Sequence, residues 1–423
     1  MRHEAPSVFT AAINASEAID VSIVMPCLNE VQCLPHCIAN ARDALNLMER
    51  DLGLSGEIVI ADNGSTDGSQ ALAAGLGARV VHVSARGYGA ALIGGGEAAW
   101  GRFVLMGDAD GSYDFTDGVA MIARLAAGAD LCMGSRFRGG IARGAMPWKN
   151  RYIGNPLLTG ILNLLFRAGV SDAHCGLRAI RKEALVALRL TGSGMEFASE
   201  MVIKAALRRL RVEETPAKLL ADLRERPPHL RPWRDGWRHL RYLFMLSPTW
   251  LFGAPAVVGA AISIMILAAA MLEAFAPGSF PAIGNYWVVL AAGLLSASHL
   301  AGVMGMAGEL YGVREGYRLP MNLSERLSRH ISLEVMLLTG FGAIIAGLCI
   351  LGGVIWFWGA RDFAATYSVL PAVLGTLCLT LGCQNALGGF LLAIIAGNEA
   401  RFLARPTSLR RRADDPRLFN QAA

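Results

Sequence analysis

Four stretches of this chain carry no charged side chain: residues 248–272, 287–308, 335–360 and 369–397. A bilayer core about 30 Å thick takes about 20 helical residues to cross, so each stretch is long enough for a span. One such run can be a buried helix of a soluble protein. Four in the last two-fifths of 423 residues require another explanation. With 53% hydrophobic and 17% charged residues, much of the chain faces something other than water, which excludes a disordered chain and a small disulfide scaffold.

The flanks of these stretches alternate. Residues 224–241 hold Arg224, Arg226, Arg231, Arg234, Arg238 and Arg241, and the next connection holds Glu273 but no Lys or Arg. Arg314, Arg318, Arg326 and Arg329 follow, then Arg361 alone, then Arg401, Arg405 and Arg410–Arg412. Basic, bare, basic, bare, basic is the positive-inside pattern, which puts the N-terminal part and the C-terminus in the cytoplasm, at an inner or plasma membrane. Small residues (Ala297, Ala301, Gly305; Gly342, Ala346) allow close helix packing, and the polar candidates inside the spans are His299, Gln384 and Asn385.

Residues 1–19 lack a basic start with a continuous apolar core and are expected to form a flexible tail rather than a signal peptide. The expected organisation continues with an α/β domain over 20–223, a basic amphipathic interfacial segment over 224–246, four transmembrane helices over 247–397 and a basic tail over 398–423. Eight cysteines include no CxxC pair, and Cys33 and Cys37 are a weak zinc signal; buried thiols are the expectation.

Within the first domain, short apolar runs alternate with helical stretches. Strands are expected at Val21–Met25, Glu57–Asp62, Arg79–Val83, Phe103–Gly107 and Asp130–Gly134, with a helix over Glu30–Arg50, which describes a doubly wound α/β sheet. Ligands in such sheets sit beyond the strand carboxyl ends. There the chain places Pro26, Asn29 and Glu30, then Asp62, Asn63 and Asp67, then Asp108 and Asp110, then Ser135 and Arg136. Any one could be a turn or cap, but four in succession converge on one crevice. Asp108-Ala109-Asp110 is the sharpest feature, because two carboxylates at a strand end can hold Mg2+ or Mn2+ against phosphate oxygens. Asp114 reads as a cap near Thr116. Gly87, Gly89 and Gly94–Gly96 fit either a backbone near the ligand or tight packing, and no P-loop or dinucleotide fingerprint occurs.

The motifs Pro26-Cys-Leu-Asn-Glu30, Asp62-Asn-Gly-Ser-Thr-Asp67, Gly107-Asp-Ala-Asp-Gly-Ser-Tyr-Asp-Phe115 and Gly134-Ser-Arg-Phe137 resemble those of polyprenyl-phosphate glycosyltransferases. The match is to the dolichyl-phosphate mannose or glucose synthase-like branch of glycosyltransferase family 2, over residues 19–245. The resemblance implies a GT-A domain that binds a UDP- or GDP-hexose. Pro26, Asn29, Glu30, Asp62 and Asp67 would then lie on the donor side, with Asp108 near ribose or cation and Asp110 the main metal contact. The family glutamine two residues after the second carboxylate is Ser112 here.

The resemblance also implies a polyprenyl phosphate acceptor. Arg136 and Arg151 would be its phosphate contacts, with Lys149 and Asp172 nearby, although ordinary salt bridges remain an alternative for the arginines. Lys149 and Arg151 open an apolar stretch through Phe166 that could lie on the membrane. Arg231, Arg234, Arg238 and Arg241 line one side of a segment whose other side holds Trp233, Trp237, Leu240 and Phe244. Its continuation into a span favours the bilayer over nucleic acid as the partner of these arginines, and Arg231 and Arg234 are expected to bind the acceptor as well. His174, Glu196 and Glu200 fall on the acceptor side; His174 is either a substrate contact or a structural histidine.

The implied reaction is direct displacement, inverting the anomeric carbon, with the anionic acceptor needing no strong base. Transfer to a neutral lipid is the alternative and would recruit Asp172 or Glu196 as base. A nonenzymatic sensor and a hydrolase are further alternatives, while the absence of QxxRW argues against a processive polymer synthase. Assembly as a homo-oligomer is left open.

Overall fold

The computed structural model describes residues 19–224, 232–276, 278, 283–318, 331–364 and 368–402. The expected N-terminal tail, Arg231 and the arginines from 405 onward lie outside them. The chain divides into two units, Met1–Leu243 and Phe244–Ala423, a boundary inside the expected interfacial segment.

In the first unit, β1 (Val21–Cys27) is buried at every position except the half-buried Pro26. It pairs in parallel with β2 (Gly56–Asp62) on one side and β4 (Phe103–Met106) on the other, so Ile23 lies level with Ile58 and Leu105. With β3 (Arg79–His82) outside β2, the order 3-2-1-4 reverses direction at β1, the point where a doubly wound sheet opens its crevice. The five expected strands are present, each within a residue or two. Two more extend the sheet to β3-β2-β1-β4-β6-β5-β7. Here β5 is Leu131–Ser135, β6 (Arg178–Arg181) is antiparallel to both neighbours, and β7 (Val212–Pro216) is the parallel edge.

Helix α1 begins at Leu34, four residues later than expected, with Pro35 in its first turn, and stops at Leu52 where Gly53 takes φ 68°. Its apolar face buries Cys37, Ile38, Ala41, Ala44 and Met48 against the sheet. Two short helices follow, α2 (Ser69–Gly75) and α3 (Tyr88–Ala98). The glycines of α3 serve packing: a Cβ on Gly95 would sit 2.6 Å from the Val24 side chain and 2.8 Å from Ala61, so only glycine lets the helix lie this close to the sheet. Helix α4 (Gly118–Ala126) and the one-turn α5 (Arg136–Gly139) flank β5; α6 (Asn155–Phe166), α7 (Lys182–Leu188), α8 (Phe197–Leu207) and α9 (Pro232–Met245) complete the set.

The second unit contains α10 (Ala254–Phe275), α11 (Asn285–Arg314), α12 (Leu333–Gly359) and α13 (Leu370–Ile395), each long and apolar enough to cross a membrane. The closest packing joins α12 to α13 through Gly340 against Gly382 and Gly347 against Gly375. Gly342 and Ala346, the pair expected to do this, are exposed instead, one helical face away. The polar residues expected inside the spans have partners: His299 Nδ1 lies 3.2 Å from Gln384 Oε1, and Asn385 donates to the Met336 carbonyl and Thr339 Oγ1.

Candidate active site

The strand ends of the first unit open on a cavity of about 820 Å3, lined on one side by Pro26, Glu30, Asp108 and Asp110 and on the other by Arg136 and Asn150. Asp108 lies two residues beyond β4 and is aimed by Tyr88, at the first turn of α3, whose hydroxyl donates to Oδ1 at 2.8 Å. Burial and the neighbouring Asp110 charge push the Asp108 carboxyl up to about 6, against the Tyr88 hydrogen bond and the cations Arg224 and Arg178. Burial beside Asp108 holds Tyr88 well above the ordinary phenol value, so it remains a donor.

Asp110 Oδ1 accepts from the Ser112 amide and hydroxyl, at 2.9 and 2.6 Å. Its other oxygen receives Arg224 Nη2 at 2.6 Å, while Arg224 Nε lies 3.2 Å from Glu30. Arg224 arrives from the chain after β7, which runs back over the acidic turn: Leu220 donates to the Ser112 carbonyl and Leu223 to the Asp110 carbonyl, both at 2.9 Å. Nothing in the local sequence marks Arg224, because the backbone crossing alone brings it here. Asp114 accepts from the Thr116 amide and hydroxyl, which is a cap.

Three other residues assigned to the donor side tie the strand-end loops together, and none of them lines the cavity. Asn29, at φ 59°, accepts the Thr66 amide; Asp67 accepts from Val31 and Ser69; Asp62 accepts from Gly64, Ser65 and Gln70. Burial alone would raise Asp62, but its donors outweigh that and hold it below the usual carboxylate range. Asn63 does line the cavity, its side chain bridging the Val83 and Ala85 carbonyls to the Gly87 amide.

On the acceptor side Arg136 and Asp172 form a buried two-pronged ion pair, Nε and Nη2 each 2.7 Å from a carboxylate oxygen. Arg136 lines the cavity; Asp172, Lys149, Arg151 and the exposed Arg234 do not. Lys149 and Arg151 lie over the rings of Trp148 and Tyr152. Arg178, singled out on the sequence without a role, lines the cavity from β6, buried with its guanidinium donating to the Ala198 and Cys175 carbonyls, whereas sequence reasoning left out His239 of α9. Cys33 and Cys37 are buried in the core, where burial first and nearby acids second push the Cys37 thiol up to about 12. Among the described residues no group of three or more His, Cys, Asp or Glu side chains could enclose a metal ion.

Fold and site together describe an α/β domain with a cavity at its strand ends, followed by four helices long and apolar enough to cross a membrane. Two family models match: Glycosyl transferase family 2 over residues 22–189, and the glycosyltransferase family 2 C-terminal transmembrane region over residues 306–396. The chain is 32% identical over 397 residues to the low-salt glycan biosynthesis hexosyltransferase Agl6 of Haloferax volcanii, covering 92% of both chains. It is 29% identical over 199 residues to a dolichyl-phosphate hexose transferase of the same organism, covering 47% of this chain and 81% of that one. Against the polyprenol monophosphomannose synthase of Mycolicibacterium smegmatis it is 30% identical over 182 residues, 40% of this chain and 64% of that one. The chain belongs to glycosyltransferase family 2, and it is a glycosyltransferase with a C-terminal membrane region.

Proposed function

We propose that the protein transfers a hexose from a UDP- or GDP-sugar to a polyprenyl phosphate, with inversion at the anomeric carbon. The observation that carries this reading is one cavity joining the Asp108–Asp110 turn to Arg136 and to the start of an apolar helix. On α6 and the turn before it, Trp148, Tyr152, Ile153, Leu157 and Leu164 are exposed, while Leu162 and Phe166 pack inward. An outward apolar face beside Lys149 and Arg151 suits a bilayer surface with headgroups above it. The relatives named for dolichyl-phosphate and polyprenol substrates support the same acceptor.

The donor set fits a divalent cation, since two carboxylates face one cavity two residues apart at a strand end. Asp108 and Asp110 would hold Mg2+ or Mn2+, which supplies charge neutralisation to the donor diphosphate. Taking that position requires Arg224 to release Asp110 Oδ2, leaving the guanidinium beside the same diphosphate. Arg136, fixed by Asp172, offsets the acceptor phosphate charge. An acceptor phosphate oxygen forms the new bond to the anomeric carbon as the bond to the departing diphosphate breaks, and charge placement rather than base catalysis carries the step.

A neutral lipid acceptor would need a base. Asp172 is locked by Arg136, and Glu196 accepts the Gly194 amide at 3.0 Å; neither lines the cavity. The basic flanks support a cytoplasmic catalytic unit and C-terminus. The test offers labelled UDP- and GDP-hexoses to membranes holding the protein, with polyprenyl phosphate, ceramide or diacylglycerol as acceptor. β-Linked polyprenyl-phosphate sugar is expected. Retention, or a neutral glycolipid as sole product, overturns the reading.

A further inference from the structure

His174 stands on the cavity wall in the loop between α6 and β6. Its Nε2 lies 3.1 Å from Ser199 Oγ of α8, and that hydroxyl lies 2.8 Å from His239 Nδ1 of α9. The two rings meet edge to face, centroids 4.7 Å apart. The other ring nitrogen, His174 Nδ1, is buried and has no hydrogen-bond partner among the described residues. An unmet buried polar atom costs about 1–3 kcal/mol, so its retention on a cavity wall points to a partner that enters the cavity.

The chemistry of that partner follows from the surroundings. Burial foremost, then His239, Arg136 and Arg178, hold His174 well below the ordinary imidazole value, so the ring is neutral. Neutral imidazole has one donor and one acceptor nitrogen. Ser199 has one proton: donating it to His239 makes His174 Nδ1 an acceptor, and donating it to His174 makes Nδ1 a donor. A hydroxyl can answer either arrangement. An anion is matched instead by the arginines nearby.

The position agrees. Gly176, two residues on, lies so close to the acidic turn that a Cβ there would be 2.7 Å from Asp108 Oδ2. The loop carrying His174 therefore borders the space between the donor carboxylates and Arg136, where the sugar in transit must lie.

We propose that His174 Nδ1 hydrogen-bonds a hydroxyl of the hexose being transferred, and that Ser199 and His239 are positioning residues that present it. This deepens the transfer reading and rests on it for the donor. It makes the α8–α9 contact part of sugar selection.

The test uses the full chain in lipid nanodiscs, with UDP-glucose and GDP-mannose, whichever turns over, and their 2-, 3-, 4- and 6-deoxy analogues. In the wild type, one deoxy position is expected to lower kcat/KM by about tenfold, the effect of a lost hydrogen bond. His174→Phe should shrink that penalty alone to within about twofold, leaving the other deoxy penalties unchanged. His174→Leu, which also lacks a hydrogen-bonding group, is run beside it in case the larger ring does not fold, and Ser199→Ala and His239→Phe should weaken the same penalty partially. Equal deoxy penalties in wild type and His174 variants, or none in the wild type, overturn the proposal. Transfer to a lipid other than polyprenyl phosphate would sink the acceptor reading while the deoxy panel still judged His174; no turnover of any nucleotide sugar would sink both.

Discussion

Tyr88 donates its hydroxyl to Asp108 across 2.8 Å, joining the first turn of α3 to the end of β4. The bond fixes one of the two carboxylates of the acidic turn that line the cavity, and it favours the ionised form of a group that burial pushes toward neutrality. Tyr88→Phe should therefore raise the donor KM about tenfold and raise the Mg2+ or Mn2+ concentration for half-maximal rate, with the melting temperature little changed. Donor and metal titrations of the variant check this; wild-type values for both would remove Tyr88 from the site.

Arg224 holds Asp110 Oδ2 at 2.6 Å while also facing Glu30, so a cation at the proposed site would have to displace it. Arg224→Met should raise apparent affinity for Mn2+ about fivefold, equivalent to ~1 kcal/mol for a part-exposed pair. Turnover should fall, because the guanidinium is no longer available to the leaving diphosphate. Mn2+ binding read by electron paramagnetic resonance, set beside kcat, distinguishes this from general damage, which would lower both.

The first five strands were legible because each carries a short apolar run bounded by turn residues, largely buried in all but the half-buried β3. β6 was not: Arg178-Ala-Ile-Arg181 is short and arginine-flanked, and it becomes a central strand only because backbone carbonyls take the guanidinium of Arg178. β7 includes Glu213 and Glu214, which an edge strand can turn outward or onto neighbouring side chains. The polar strand ends were legible as a group, but sequence does not say which way a turn residue faces. Asn29, Asp62 and Asp67 knit loops, while Glu30, Asp108 and Asp110 line the cavity. Arg224 and His239 reach the site through long-range crossings that leave no local pattern.

The Arg136–Asp172 pair separates stability from acceptor use. Asp172→Asn should cost about 3–5 kcal/mol, since it leaves a buried guanidinium without its counter-charge. Pairing Arg136→Met with Asp172→Leu should recover part of that stability without restoring transfer to polyprenyl phosphate. Thermal melts and acceptor titrations on the three proteins check both halves. Recovery of transfer in the double variant would show that Arg136 has no contact with the acceptor.

Asp62 supplies a pH signature. Its folded-state value lies below the unfolded one, so its stabilisation is present above about pH 4 and is lost as pH falls through the folded value. Asp62→Asn removes the titration and sets an amide against the Gly64 and Gln70 donors. The wild type should melt higher than the variant at pH 6, and the gap should hold down to about pH 4 and narrow as pH falls below it. A gap independent of pH would mean that the carboxylate charge contributes nothing there.

The exposed face of α6 tests the membrane side of the mechanism. Leu157 and Leu164 are 58% and 65% exposed, and they accompany Trp148, Tyr152 and Ile153 on an outward apolar surface. If that surface rests in the bilayer, Leu157→Glu with Leu164→Glu places two charges at the headgroup boundary while leaving the inward Leu162 and Phe166 packing intact. Transfer to long-chain polyprenyl phosphate in vesicles should then fall by about tenfold or more, because the crevice no longer sits over the acceptor. Transfer to a short, water-soluble prenyl phosphate should stay near wild type, since donor site and Arg136 are untouched. Equal losses with both acceptors would mean that the helix supports the fold of the cavity rather than its docking to lipid.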